Sequence, residues 1–132
     1  MSRQKSPLPD AVRRFVLTSI PSVPYLEAAL LLRDRPEARL SVSDVARGLY
    51  LQERAVAGLL DALVAAGVVQ RDAAADGARY RYAPRDAALQ EALDGLAAAY
   101  ASDLVGITTL IHDATQKSAQ RFADAFRIRK DP

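Results

Sequence analysis

The sequence predicts a mainly α chain that carries one small β-hairpin and ends in long helices. Three observations predict it. Apolar residues recur at helical spacing in successive short runs from Val12 to Leu63. The period then drops to two on either side of Asp76-Gly77, a tight-turn dipeptide. Beyond Pro84, the seam Leu89, Leu93, Leu96, Tyr100, Leu104, Ile107 and Ile111 advances by 4, 3, 4, 4, 3 and 4 residues, close to a heptad pattern. The 132 residues, half of them hydrophobic and 26% charged, have a globular composition.

Ser6-Pro7-Leu8-Pro9 reads as an extended arm, and Asp10 opens a helix with Val12, Phe15, Val16 and Ile20 on its apolar face. Pro21 and Pro24 bracket the next boundary. Ser22 can cap the following helix, whose first turn tolerates Pro24 because an N–H there would have no helical partner. Leu26, Ala29, Leu30 and Leu32 make this second helix apolar nearly all round, which places it at the centre of the core. Arg33-Asp34-Arg35-Pro36 ends it, since a residue before proline disfavours helical dihedrals.

Arg39–Ser41 has room for one short strand pairing. Ser41 and Asp44 have capping-box spacing, with Asp in place of the longer Glu, at the head of a short helix over Val42–Leu49 that turns Val45, Ala46 and Leu49 inward. Val56, Leu59, Leu60 and Leu63 mark the next helix, with Gln52 at its cap and Gly67 where a left-handed stop is required. Val68-Val69-Gln70-Arg71 and Arg79-Tyr80-Arg81-Tyr82 are two strands, with Ala73-Ala74-Ala75 in their loop and Pro84 closing the second. Asp86 can cap one long helix over about Ala87–Asp113. A further helical segment over about Ser118–Ile128 carries Phe122, Phe126 and Ile128 among Arg121, Arg127, Arg129 and Lys130.

The order of helix, short helix, turn, helix and hairpin has a known counterpart. Leu40–Pro84 contains Ser41-Val-Ser-Asp-Val-Ala-Arg-Gly-Leu49, Leu51-Gln-Glu-Arg-Ala-Val56, Leu59-Leu60-Asp-Ala-Leu63 and Ala66-Gly67-Val68-Val69, followed by Tyr80-Arg81-Tyr82-Ala83-Pro84. This stretch resembles the winged helix–turn–helix family, most closely the MarR-like bacterial transcriptional regulators. Two positions depart from the pattern: Tyr50 stands where the turn often holds Gly, and Gln52 stands where Ser or Thr often supplies the cap. The resemblance divides the chain into an N-terminal arm and helix (1–21), a winged helix–turn–helix domain (22–85) and a C-terminal helical dimerisation and extension segment (86–132).

What the resemblance implies is a transcriptional regulator that binds double-stranded DNA. The helix after the turn would enter the major groove and the hairpin would touch backbone or minor groove. With Val56, Leu59, Leu60 and Leu63 turned inward, Gln52, Glu53, Arg54, Ala57 and Gly58 form the outer, DNA-reading face. Arg54 is suited to a guanine edge or a phosphate. On the hairpin, Arg79 and Arg81 share one strand face and Tyr80 and Tyr82 the other, with Arg71 and Arg85 as further candidate phosphate contacts. Glu53 and Asp61 oppose phosphate binding, so the same surface also suits a protein. A winged protein-interaction module that binds no DNA is the competing reading.

The seam Leu89, Leu93, Leu96, Tyr100, Leu104, Ile107 and Ile111 either packs on the chain's own first helix or pairs with a second copy. A helix of that length outruns a small winged unit, so a homodimer is expected, which would also present two reading helices to a two-fold site. The net charge of +2, from 18 basic and 16 acidic residues, is too small to demand a polyanion. Lys117–Asp131 carries five basic and two acidic residues, and its Arg127-Ile128-Arg129-Lys130 end suits nucleic acid, an acidic surface or merely the helix dipole.

Other chemistry finds little support. There is no cysteine, which excludes disulfides, thiolate catalysis and Cys-ligated zinc. The one histidine, His112, lies beside Asp113 with no nucleophile or oxyanion device, and six glycines form neither GxGxxG nor a P-loop. No enzyme activity, metal or cofactor is expected. Leu63–Val69, the longest nearly unbroken apolar stretch, cannot span a bilayer, and the basic residues of Met1–Lys5 precede Ser6-Pro7-Leu8-Pro9-Asp10 rather than an apolar signal region. These features predict a cytoplasmic protein with no membrane partner.

Overall fold

The structure is a computed structural model that describes residues 8–130, the side chains of 126–130 excepted. Ser6 and Pro7 of the proposed arm, and the side chains of Phe126, Arg127, Ile128, Arg129 and Lys130, therefore lie outside the described residues. The elements in order are α1 (Asp10–Ser19), α2 (Val23–Asp34), α3 (Val42–Leu49), α4 (Glu53–Ala65), β1 (Val69–Asp72), β2 (Arg79–Tyr82), α5 (Ala87–Ser102) and α6 (Leu104–Lys130). The fold is mainly helical with one antiparallel hairpin and long C-terminal helices, as the apolar spacing predicts. Among the described residues, no single helix is long and apolar enough to cross a membrane.

Two compact units form. One is Val23–Asp94; the other joins the chain before Val23 to the chain from Gly95 on. In the first, α2 is the core element, with Leu26, Ala28, Ala29 and Leu32 withdrawn from solvent and α3, α4 and β2 packed around it. From α3 come Val45 and Ala46; from α4, Val56, Leu60 and Leu63; from the strands, Val69 and Tyr80. Each fully buried Leu or Val contributes about 1.5–3 kcal/mol relative to exposure. These side chains therefore hold α4 with one fixed face inward.

The local signals act as the residue chemistry requires. Ser41 Oγ accepts from the Asp44 N–H and Asp44 Oδ2 from the Ser41 N–H, both at 3.0 Å, which closes a capping box on α3. Gln52 occupies the α4 cap position without a side-chain cap bond. β1 and β2 pair Val69 with Tyr82, Gln70 with Arg81, Arg71 with Tyr80 and Asp72 with Arg79. The pairing expected around Arg39–Ser41 is a single bridge, Leu40 to Tyr80, with hydrogen bonds of 2.9 and 2.8 Å.

In the second unit α1 packs on α6, and Val12, Val16, Ile20, Leu96, Ala99, Ile107 and Ile111 are buried. The single helix expected over Ala87–Asp113 is corrected here, because the chain breaks at Asp103. Asp103 donates its N–H to Ala99 O at 2.8 Å, while its carbonyl accepts from Ile107 and its carboxylate from the Gly106 N–H at 3.0 Å, so α6 starts anew. A side chain at Gly106 would collide with that carboxylate. The break expected between Asp113 and Ser118 is absent, since α6 runs unbroken from Leu104 to Lys130.

Candidate nucleic-acid interface

The outer face of α4 stands as the inward set requires. Val56, Leu60 and Leu63 are buried and Leu59 is half-buried, while Gln52, Glu53, Arg54, Gly58 and Asp61 are exposed and Ala57 partly so. Arg54 makes no hydrogen bond or ion pair among the described residues. A Cβ built on Gly58 meets nothing within 4 Å. Packing therefore does not require glycine there, although glycine in a helix interior costs about 0.5–1 kcal/mol relative to alanine. The bare backbone leaves room for another molecule to approach.

The wing is less free than its arginine content suggests. By the strand register, Gln70, Asp72, Arg79 and Arg81 share one face, and Arg71 projects with Tyr80 and Tyr82 from the other. Arg79 Nη2 lies 2.8 Å from Asp76 Oδ2, and Arg81 Nε lies 3.0 Å from Asp72 Oδ2, with Gln70 accepting a further hydrogen bond from Arg81. Arg71 is exposed and unpaired among the described residues, and it borders a concave surface shared with Ala73, Ala74, Gly77 and Ala78. Arg85 donates to the Ala66 carbonyl at the end of α4, and its own N–H donates to Gly67 O at 2.8 Å. It also lies 3.6 Å from Asp86. The candidate set thus separates into two free cations, Arg54 and Arg71, two wing arginines paired with carboxylates, and Arg85 bound to a helix terminus.

Electrostatics at the head of α3 follow the capping box. The hydrogen bonds from Ser41 backbone and side chain hold Asp44 below its ordinary carboxylate pKa against the opposing effect of burial, with Arg47 and Arg79 adding smaller favourable contributions. On the inner side of the wing, burial raises the Tyr82 phenol, and the Asp94 carboxylate raises it further. His112 is exposed, and no group of three or more potential metal ligands is gathered among the described residues.

Two features of this surface go beyond what the sequence indicates. The sequence marks Tyr50 as a non-glycine residue at a turn position that favours glycine; in the structure it is 93% exposed with its backbone at φ 57° and ψ 41°. The sequence also sets Asp72 and Asp76 against the wing arginines as opposing charges; in the structure they pair with Arg81 and Arg79.

The seam assigned to dimerisation lies largely inside the single chain. Leu93, Leu96, Ile107 and Ile111 are at most 1% exposed and Leu89 is buried, while Tyr100 is half-buried and Leu104 is 52% exposed. Among the described residues, the exposed large apolar ones of the second unit are Leu17, Leu104, Val105 and Phe122.

A helix, a turn, a second helix and a two-stranded wing define a winged helix–turn–helix. Its particular form, with long helices following the wing, is the fold of MarR-family transcriptional regulators. The chain superposes on a MarR-family regulator from Rhodococcus sp. RHA1 with a TM-score of 0.53 at 19% identity, covering 86% of this chain and 83% of that one. A MarR-family regulator from Silicibacter pomeroyi matches with a TM-score of 0.53 at 18% identity over 92% and 83%. A mutant of MepR from S. aureus matches with a TM-score of 0.55 at 14% identity over 89% and 84%. The sequence matches no protein-family model, and no curated protein matches it.

Proposed function

We propose that the chain is a non-catalytic, dimeric transcriptional regulator of the cytoplasm that binds duplex DNA through α4 and the wing. The observation that carries the reading is the free, exposed Arg54 on the outer face of an α4 whose inner face is sealed by Val56, Leu60 and Leu63. In a fold of this kind that face enters the major groove, and a cation near the helix N-terminus meets phosphate or a guanine edge. The bare surface at Gly58 and the unpaired Arg71 on the wing support it. Dimerisation through the exposed apolar residues of the second unit would present two such faces to a two-fold site.

One observation favours a second reading. The winged unit carries nine arginines against eleven carboxylates, a net charge of −2. A protein-interaction module needs no basic excess, whereas DNA binding must proceed here through a few well-placed cations.

Fluorescence anisotropy of a labelled mixed-sequence duplex at two salt concentrations tests the reading. Affinity should fall as salt rises, and Arg54→Ala should both weaken binding and lower the salt slope by about one counterion. Micromolar protein that gives no shift at low salt would reject DNA binding and leave the interaction module.

A further inference from the structure

We propose that Tyr50, in the turn between α3 and α4, contacts DNA, its hydroxyl donating a hydrogen bond to a backbone phosphate. This rests on the DNA reading above. The argument begins with two helix ends in the same unit. α4 ends with Gly67 at φ 79°, the Val68 N–H bonded to Leu63 O at 3.0 Å and the Gly67 N–H to Val64 O at 3.0 Å. α3 ends with Tyr50 at φ 57°, and the Leu51 N–H bonds to Ala46 O at 3.1 Å across the same five-residue span. Both ends use a left-handed residue to satisfy a terminal carbonyl. At the first the chain supplies glycine, which adopts that conformation without a steric penalty. At the second it supplies tyrosine, the only non-glycine residue at positive φ among the described residues.

Nothing among the described residues compensates for that choice. Tyr50 is 93% exposed, so its ring buries almost no apolar area, and its hydroxyl has no partner among the described residues. The other tyrosines of the winged unit, Tyr25, Tyr80 and Tyr82, are buried or half-buried. A residue in a strained backbone conformation with no packing role points to something met outside the chain. Its position names the chemistry. Tyr50 lies two residues before the α4 cap and four before the free Arg54, beside a helix N-terminus that has no side-chain cap. A phosphodiester fits all three features, because it accepts the phenol proton, pairs with the guanidinium and is favoured at a helix N-terminus.

The test compares wild type, Tyr50→Gly and Tyr50→Phe in the full chain, by urea unfolding and by anisotropy on two mixed-sequence duplexes at low salt. Tyr50→Gly should unfold at the same urea concentration or a higher one, since it relieves the backbone. Both variants should bind each duplex about three- to tenfold more weakly, the loss expected for one hydrogen bond and equal across sequences because phosphate carries no base information. If wild type binds and Tyr50→Gly binds equally well, the assignment of Tyr50 is overturned and the DNA reading stands. A lowered unfolding midpoint for Tyr50→Gly would make the residue structural, and full affinity in Tyr50→Phe would remove the phosphate hydrogen bond; either overturns the proposal. If wild type binds no duplex, the DNA reading fails and this proposal fails with it.

Discussion

Arg79 and Arg81 show how a strand rich in arginine can hold little free charge. Each guanidinium already has a carboxylate, Asp76 at 2.8 Å and Asp72 at 3.0 Å, so a phosphate would have to displace an existing partner. Asp76 is 74% exposed, and a surface pair of this kind contributes about 0.2–1 kcal/mol. Asp76→Asn should therefore leave the urea midpoint nearly unchanged while raising affinity for a mixed-sequence duplex by about two- to fivefold, since it frees Arg79 and removes a like charge from the approaching phosphate. Parallel unfolding and anisotropy titrations check both halves, and unchanged affinity would mean that this edge of the wing stays off the DNA. Alternation along Arg79-Tyr80-Arg81-Tyr82 was readable in the sequence because strand geometry fixes it. The pairing of Arg81 with Asp72 was not, because it depends on cross-strand register and hence on how the Ala73–Ala78 loop closes.

At the scale of elements, local chemistry decided what could be foreseen. α3 has the expected bounds, Val42–Leu49, because Ser41 and Asp44 cap it through bonds that span three residues. The cap gives α3 a defined response to acid. Asp44 is held below its ordinary value of 3.8, so its stabilisation is complete above that pH and disappears as pH falls through the lower folded value. Asp44→Ala should cost about 1 kcal/mol at neutral pH, and the gap between variant and wild type should narrow once the solution is more acidic than the folded carboxyl. Urea unfolding in neutral and strongly acidic buffer measures both, and a pH-independent gap would remove the carboxylate from the cap. β2 likewise has its expected bounds, and β1 is displaced by one residue, to Val69–Asp72. The break at Asp103 leaves no mark in the apolar periodicity. The apolar steps from Tyr100 to Leu104 to Ile107 keep helical spacing across it, so periodicity alone passes straight through. The break is marked locally, by the Asp103 carboxylate that accepts from the Gly106 N–H and caps α6.

For the molecule as a whole, the same break changes which residues can join two chains. A continuous heptad seam suggests a coiled contact between subunits, but Leu93, Leu96, Ile107 and Ile111 are withdrawn from solvent before any partner arrives. Among the described residues, those that remain outside are Leu17, at 51% exposure, with Leu104, Val105 and Phe122 on α6. Leu104 and Phe122 are 18 residues apart, five turns of a 3.6-residue helix, and so fall on one stripe of α6. Exposed apolar residues of this kind are favourable to bury against a second copy. Val105 is 65% exposed, so Val105→Glu adds charge to this surface with little effect on the fold. It should shift the mass measured by light scattering from dimer toward monomer while leaving the unfolding midpoint of the separated chains nearly intact. Leu96→Ala should do the reverse: it empties a fully buried site, costs about 2–5 kcal/mol of stability, and leaves the association surface in place wherever the chain remains folded. A dimer that dissociates on Leu96→Ala but survives Val105→Glu would return the interface to the seam, and with it the arrangement in which two winged units face one DNA site.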